Sequence, residues 1–226
     1  DYVQSTIKKI TAPITKRNIP LCVVFGNHDG EEGFHTEFQM MQYMEYANCR
    51  SNLNDANVYG CGNCCVTIKS SNGEKDAFAI WLIDSNDYQR NSEGGLSYDC
   101  VHADQIEWYE KRSAELKEAN GGKPLPALAF FHIATPEFRD INENTNMYGC
   151  NKEGSGVGAP EVNSGFLLSC VEMGDVMGLF VGHDHENDYI GQHFNVALAY
   201  GRVSGFNAYG GLPRGGRIID LYEASR

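Results

Sequence analysis

The sequence predicts an α/β domain in which a mixed β-sheet is layered against helices. After an N-terminal helix, the predicted elements follow in the order strand, helix, hairpin, helix, strand, helix, strand, strand. Three of the predicted strands are short apolar runs that end abruptly in a histidine-bearing polar loop. With 226 residues, of which 42% are hydrophobic, the chain can bury one substantial core, so we expect a single domain over residues 1–226.

The first part of the chain predicts a helix, a strand, a second helix and a hairpin. Apolar residues recur at helical spacing over residues 1–16. The β-rich run IPLCVVF at 19–25 stops at GNHDG, which predicts a strand followed by a loop. We then expect a helix at 34–47 and a hairpin around the turn SSNG, with strands at 57–69 and 76–84.

The second part begins with the clearest helix, at 102–120. Its apolar residues share one face, charges fill the other, and two glycines follow it as a stop signal. The run LPALAFFH predicts a buried strand that ends on a histidine, and a long Gly- and Asn-rich loop follows it. The remaining predicted elements are a strand in DVMGLFVGHDH, a helix before it at 161–170, and two closing strands near 194–200 and 216–222.

The net charge and the apolar runs of the chain limit the classes of partner that it is expected to bind. A formal net charge of −12 argues against nucleic acid or an anionic membrane surface as the main partner. An anionic substrate would need local positive charge, which a bound metal supplies. No apolar run approaches the roughly 20 residues that span a bilayer. Residues 1–20 lack the features of a signal peptide, so we expect any targeting signal to lie upstream.

The eight cysteines leave several structures open. Their even number permits disulfides, but the pairing cannot be deduced from spacing. Cys61 and Cys64 form a CxxC pair, yet no second CxxC completes a four-cysteine zinc site. We therefore favour disulfides or free buried thiols over a structural zinc, and we disfavour a zinc-ribbon or redox protein built on these residues.

The ends of three predicted strands carry side chains that suit a metal. In open α/β folds, ligand sites gather at the carboxyl ends of strands, so these loops are expected to converge. A single histidine at a strand end is more often structural, and it is the joint pattern that predicts a site. Alternation along a strand would also turn two histidines of an HxH sequence to the same side. An amide oxygen with imidazole nitrogens suits Zn, Mn or Fe. The loops are Asn27-His28-Asp29, His132 and His183-Asp184-His185.

These motifs resemble those of a known superfamily. GNHD, the later single histidine and GHDH resemble the third, fourth and fifth motifs of the calcineurin-like metallophosphoesterases. The flanking stretches RNIPLCVVFGNHD, LAFFHIATPEF, GHDHENDY and LAYGR…GGRIIDLYE are similar to its purple-acid-phosphatase-like branch. The resemblance covers nearly the whole chain. It implies a layered, metallophosphatase-like sandwich of mixed β-sheet flanked by helices, of which this chain is the C-terminal portion.

The resemblance also implies a dinuclear centre of two divalent or trivalent metal ions, Zn, Mn or Fe. Asn27, His132 and His183 resemble ligands of one ion, and His185 resembles a ligand of the other. His28 resembles the residue that contacts the phosphate and protonates the leaving oxygen. Asp29 would orient and polarise its ring, because a carboxylate beside an imidazole raises its pKa and fixes its tautomer.

Two earlier motifs of the superfamily, DxH and GDxx, do not occur in the chain before GNHD. Their ligands are expected from a missing N-terminal segment or from another chain. Asp184 occupies the variable position of GHxH and is not assigned as a ligand. Arg202, in AYGR, could reach a substrate phosphate, although a surface arginine is the favoured interpretation.

The resemblance implies a metal-dependent phosphoesterase that acts on phosphomonoesters through a metal-activated water. Its substrate would be a phosphorylated small molecule or a phosphoprotein, and neither nucleic acid nor a membrane is expected as a partner. The alternative is a catalytically incomplete protein of the metallophosphatase fold that serves as a metal-binding or interaction module.

Overall fold

A computed structural model describes residues 2–142 and 147–223. Its helices are α1 (Tyr2–Thr15), α2 (Thr36–Met44), α3 (Ala103–Ala119) and α4 (Phe166–Met173). Its strands are β1 (Cys64–Lys69), β2 (Asp76–Leu82), β3 (Tyr88–Arg90), β4 (Leu96–Tyr98), β5 (Ala127–Phe130), β6 (Tyr148–Asn151), β7 (Val176–Val181), β8 (Asn187–His193) and β9 (Val196–Tyr200).

Seven of these strands form one mixed sheet in the order β1-β2-β5-β7-β9-β8-β6. The central strands β2, β5, β7 and β9 are parallel to one another, whereas β1, β8 and β6 pair antiparallel at the two sides. The predicted α/β class with a mixed sheet is confirmed. Because the central strands are parallel, their carboxyl ends lie at one edge of the sheet, where the site is found.

The core lies between the sheet and helices α3 and α4. Trp81 of β2 meets Trp108 and Tyr109 of α3 edge to face, with ring centroids 5.7 and 4.9 Å apart. Phe166 of α4 packs against Tyr109 in the same way, at 5.6 Å. These rings bury large areas and favour edge-to-face geometry, so they hold the helices in register with the sheet. The predicted helix at 102–120 is confirmed, and its buried face includes Leu116.

One buried carboxylate joins the helix layer to the sheet. Asp175, just before β7, accepts hydrogen bonds from the Tyr109 hydroxyl at 2.5 Å, the Ser113 hydroxyl at 2.9 Å and the Trp81 indole N–H at 3.2 Å. Burial raises the pKa of Tyr109, and the nearby Cys170 and Asp175 raise it further, so its hydroxyl remains a donor. Asp175 therefore satisfies three polar groups that would otherwise be buried without a partner.

Two predicted strands do not form. In segment 19–25 the only strand-like pairing is a single bridge between Leu21 and Cys49. The backbone of Val23 in this segment bonds a side chain instead. The Ser51 hydroxyl accepts from the Val23 N–H at 2.7 Å and donates to the Val23 carbonyl at 3.2 Å. Segment 216–222 also lacks a strand ladder. Arg217 ties it to the carbonyl oxygen of Tyr200 through the guanidinium rather than the backbone.

Four strands were not predicted. The hairpin of β3 and β4 consists of three residues in each strand, too few for a recognisable alternation. The edge strand β6 lies within the expected long loop, and β8 follows directly on GHDHE. Asn187 of β8 holds the end of β6, since its carboxamide oxygen accepts the N–H groups of Lys152 and Glu153 at 3.1 and 3.2 Å. Helix α4 also begins later than expected, after Gly165, whose φ is 84°.

The eight cysteines are free thiols in the structure. Burial raises the pKa of Cys61 and of Cys64 to about 12, which keeps both protonated at neutral pH. Within the described ranges, no helix is both long and apolar enough to cross a membrane.

Candidate metal centre

The three histidine-bearing loops meet at the carboxyl edge of the sheet. His132 Nε2, beyond β5, and His183 Nδ1, beyond β7, each lie 3.1 Å from the same atom, Asn27 Oδ1. The two imidazole rings are 5.2 Å apart between centroids and nearly perpendicular. Two imidazole nitrogen atoms from distant parts of the sequence therefore meet at one amide oxygen atom.

The end of strand β5 positions His132. The Ser85 hydroxyl, beyond β2, accepts the N–H groups of His132 and Ile133 at 3.2 and 2.8 Å, which fixes the backbone on both sides of the ring. The ring of His132 packs against Gly26, where a Cβ atom would lie 2.7 Å from His132 Nε2. The glycine of GNHD is therefore required by the close approach of this ring.

His183 reaches the site through a turn. Its φ is 71°, in the left-handed region that non-glycine residues rarely adopt, and residues 182–186 are not a strand. The expectation that strand alternation turns His183 and His185 to one side was therefore wrong. The turn brings both rings to the same cleft, and a Cβ at Gly158 would lie 2.7 Å from the ring of His183. Backbone strain of this kind occurs at functional sites.

Both central imidazoles favour the neutral form. Burial, followed by the charges of His183, His28 and His185, lowers the pKa of His132 to about 3. Burial is also the main cause that lowers the pKa of His183, although Asp184 acts in the opposite direction. At neutral pH each ring therefore has one nitrogen lone pair, the form in which histidine binds a metal.

His185 lies on the same cleft, stacked on Tyr209 with ring centroids 4.1 Å apart. Its Nδ1 atom is buried and has no hydrogen-bond partner among the described residues. A buried polar atom without a partner is uncommon in folded proteins and indicates a missing ligand or water.

His28 and Asp29 do not interact as expected. The ring of His28 contacts Glu31, with Nδ1 2.7 Å from Oε1, and its side chain is 70% exposed at the rim of the cleft. The carboxylate of Asp29 turns back and accepts the N–H of Gly26 at 2.7 Å, closing the loop. Burial raises the pKa of Asp29, against the opposing effects of this hydrogen bond and of His28. Glu31, rather than Asp29, is thus the carboxylate that can orient His28.

Arg202 is not brought to the cleft. Its Nε atom donates to Asp188 at 2.8 Å and its NH2 group lies 2.5 Å from the same carboxylate. Arg217 binds the other oxygen of Asp188 at 2.6 Å. The guanidinium of Arg202 is therefore engaged in an ion pair. Arg202 stabilises β8 and the C-terminal segment rather than lining the cleft.

Asp184, between the two histidines, is buried and holds the turn. Its Oδ2 atom accepts the hydroxyl of Tyr200 at 2.5 Å and the N–H of Gly158 at 3.0 Å. Burial raises the pKa of Tyr200, and the charge of Asp184 raises it further, so the phenol stays a donor. Asp184 thereby links the histidine turn to β9 and to the loop at 152–160.

We expect Tyr200→Phe to lower the free energy of unfolding by about 2 kcal/mol, because a hydrogen bond to a buried carboxylate is lost. The matched control is Tyr189→Phe, whose buried hydroxyl donates to the neutral carbonyl of Phe138 at 3.1 Å and should cost about 1 kcal/mol. Urea denaturation measures both. Equal losses would show that the charge of Asp184 adds nothing to the interaction.

The cleft in front of these residues has a volume of about 390 Å³ and is lined by His28, His132, His183 and His185, with Tyr98 and Tyr209 on its walls. It is therefore large enough for a phosphate group and part of the molecule that carries it.

Comparison with known proteins gives the family. No protein-family profile matches the chain. It is 33% identical to "Probable inactive purple acid phosphatase 14" of Arabidopsis thaliana over 92% of this chain and 56% of the relative. It is 32% identical to "Probable inactive purple acid phosphatase 29" of the same plant, over 96% of this chain and 60% of the relative. "Phosphatase DCR2" of Saccharomyces cerevisiae is 31% identical over 82% of this chain and 33% of its own length.

The chain belongs to the purple-acid-phosphatase-like branch of the calcineurin-like metallophosphoesterases. It spans a little over half the length of the two plant relatives. Purple acid phosphatases generally use metal ions, so the donor set of this chain can be tested against that requirement.

The residues present fit part of such a centre. Among the residues that the structure describes, no group of three or more His, Cys, Asp or Glu side chains is arranged to hold a metal. The cluster found here instead combines two neutral imidazoles with the amide oxygen of Asn27. These are three donors of the type that Zn, Mn and Fe accept, one fewer than a tetrahedral zinc ion requires. The described residues therefore supply only part of the donor set that such a centre requires.

The sequence interpretation missed one part of the site. Tyr88 and Tyr98, on the short hairpin of β3 and β4, contact Asn27 and His183 respectively. The only signal was a pair of tyrosines flanking the turn-forming stretch NSEGG, and a pattern of this length does not distinguish a hairpin from a loop.

Proposed function

We propose that this chain carries one metal-ligand set of a phosphoesterase that hydrolyses phosphomonoesters at a dinuclear centre. The observation that supports the proposal is the convergence of His132 Nε2 and His183 Nδ1 on Asn27 Oδ1, each at 3.1 Å. The "Phosphatase" in the name of the yeast relative agrees with this function. Substrates would be phosphorylated small molecules or phosphoproteins.

Two bound Zn, Mn or Fe ions would supply positive charge for the phosphate and a nucleophilic water. Asn27, His132 and His183 would hold one ion and His185 would bind the other. Among the described residues no lysine or arginine lines the cleft, and Arg202 is paired with Asp188. Binding of an anionic phosphate in this cleft would therefore depend on the ions.

In this proposal His28 transfers a proton to the leaving oxygen. Its ring stands at the exposed rim of the cleft, and Glu31 accepts from Nδ1 at 2.7 Å. With a proton held on Nδ1 by this carboxylate, Nε2 is free to exchange a proton with a leaving oxygen. Asp29 acts on the backbone, because its bond to the Gly26 N–H keeps the loop closed behind His28.

The rest of the centre is proposed to come from outside this chain. No DxH or GDxx sequence occurs before GNHD, where the superfamily carries these motifs, and the chain spans 56% and 60% of its plant relatives. An upstream segment, or another chain, would supply the remaining ligands.

A second function is a metal-binding or interaction module without catalysis. The names of the two plant relatives, both "Probable inactive", favour it. The two functions differ in their expected activity, since only the first predicts turnover.

The distinguishing experiment measures hydrolysis of 4-nitrophenyl phosphate by the protein with its upstream coding sequence, after loading with zinc, manganese or iron. If the enzyme hypothesis holds, His28→Ala should reduce kcat by about 10²–10⁴-fold with unchanged metal content, because a positioned general acid is lost. His193→Ala is the matched control, since His193 lies near Asp140 outside the cleft. Metal-loaded protein without activity above background would favour the second function.

A further inference from the structure

We propose that Tyr88 is a positioning residue that orients the carboxamide of Asn27 and thereby sets the metal affinity of the candidate centre. This inference rests on the proposed metal site. The Nδ2 group of Asn27 donates a hydrogen bond to the Tyr88 hydroxyl at 2.7 Å. At the other end of the same carboxamide, Oδ1 faces the two imidazoles, and the residue is only 2% exposed.

The two ends of a carboxamide have nearly the same shape and opposite hydrogen-bonding character. Only the oxygen can bind a cation, because the amide nitrogen has no available lone pair. The NH2 group must then point away from the metal, where it meets the oxygen of Tyr88. A hydroxyl that accepts from Nδ2 stabilises the orientation that presents Oδ1 to His132 and His183. Without it, a buried N–H would lose its partner in that orientation.

The hairpin that carries Tyr88 is itself fixed to the site. Tyr98 lies directly opposite Tyr88 in the register of β3 and β4, with the two rings stacked at 5.8 Å. The ring of Tyr98 meets the ring of His183 edge to face at 4.5 Å. This hairpin thus contacts two of the three proposed ligands, Asn27 through a hydroxyl and His183 through a ring. Groups that support metal ligands in this way change metal affinity by about 10–100-fold when they are removed.

The test compares Tyr88→Phe with Tyr98→Phe. The first variant removes the hydroxyl that accepts from Asn27 and keeps the ring. The second removes a hydroxyl that has no hydrogen bond in the described part of the chain and keeps the ring contact with His183. Zinc binding to each purified chain, measured by equilibrium dialysis, should weaken about tenfold or more for Tyr88→Phe. The control should keep the wild-type Kd within about twofold.

A second readout does not require metal. In the metal-free protein, the side-chain NH2 protons of Asn27 in a ¹H–¹⁵N spectrum should move upfield in Tyr88→Phe, because their acceptor is lost. They should keep their positions in Tyr98→Phe. The phenyl ring remains in both variants, so its ring current cannot account for a difference.

Both readouts must change for the inference to stand. An unchanged Kd in Tyr88→Phe, an unchanged Asn27 resonance, or an equal loss of affinity in Tyr98→Phe would each overturn it. Wild-type chain that binds no zinc would overturn the metal site proposed above. In that case the amide resonance alone would decide whether Tyr88 orients Asn27.

Discussion

Replacement of His132 by alanine is expected to weaken zinc binding to this chain by at least about 100-fold, beyond the 10–100-fold typical of residues that only support a ligand. His132 Nε2 is one of the three proposed donor atoms of the first ion, together with His183 Nδ1 and Asn27 Oδ1. The low pKa of the ring, about 3, means that the wild-type donor is already neutral at pH 7. The variant therefore loses a ligand that needs no deprotonation.

Competition against a fluorescent zinc chelator measures this change. His193→Ala should bind zinc as the wild-type chain does, because its ring lies outside the cleft and pairs with Asp140 at 3.7 Å. The thermal unfolding of both variants should be recorded without metal, since removal of the His132 ring also leaves space beside Gly26. Zinc affinity that survives in His132→Ala would place the ion elsewhere.

The second large effect concerns the core. We expect Asp175→Ala to lower the free energy of unfolding by about 3 kcal/mol or more, because it leaves the Tyr109, Ser113 and Trp81 donors buried without an acceptor. Each buried donor that loses its partner costs about 1–3 kcal/mol, and the contributions are not additive for one network. The loss should appear as a lower urea midpoint with an unchanged slope.

Two variants control for this result. Asp175→Asn keeps an acceptor oxygen and should lose less stability than the alanine variant. Asp220→Ala, at an exposed position in the C-terminal segment, should leave the urea midpoint unchanged. Should Asp175→Ala unfold at the wild-type midpoint, the buried carboxylate would not be what joins α3 to the sheet.

The convergence of the histidine loops could be predicted from sequence because it depends on topology. The apolar strands ALAF (β5) and VMGLFV (β7) are largely buried, and a histidine lies two residues beyond the end of each. Since β5 and β7 are parallel neighbours, their ends must meet. The conformation at His183 could not be predicted in this way, because local sequence pattern does not encode side-chain packing. The left-handed turn there depends on the space that Gly158 leaves for the ring of His183.

The wrong strand predictions have a common cause. Segments 19–25 and 216–222 have the composition of strands, but a strand forms only where a neighbouring backbone offers a ladder. Segment 19–25 bonds the hydroxyl of Ser51, and segment 216–222 is held by the guanidinium of Arg217. Conversely, β6 forms despite a loop-like composition, because β8 pairs with it and Asn187 holds its end.

The assignments of charged groups near the site also depended on geometry that spacing does not give. Asp29 is the neighbour of His28 in sequence, yet its carboxylate is closer to the Gly26 N–H, and Glu31 one turn later reaches the ring. Arg202 follows β9, which ends at the same edge of the sheet as the candidate site. Its guanidinium is bound by Asp188, on the adjacent antiparallel strand β8, and does not line the cleft. A long charged side chain can reach several alternative partners. Its partner is therefore determined by the folded structure and not by spacing in the sequence.

The most direct test of the metal centre is anomalous diffraction at the zinc absorption edge from crystals of this chain grown with zinc. We predict a peak about 2.0–2.2 Å from each of Asn27 Oδ1, His132 Nε2 and His183 Nδ1, the distances typical of zinc bound to oxygen and nitrogen. A peak at the cysteine thiols or on the protein surface, with none between these three atoms, would contradict the assignment of this cluster as a metal site.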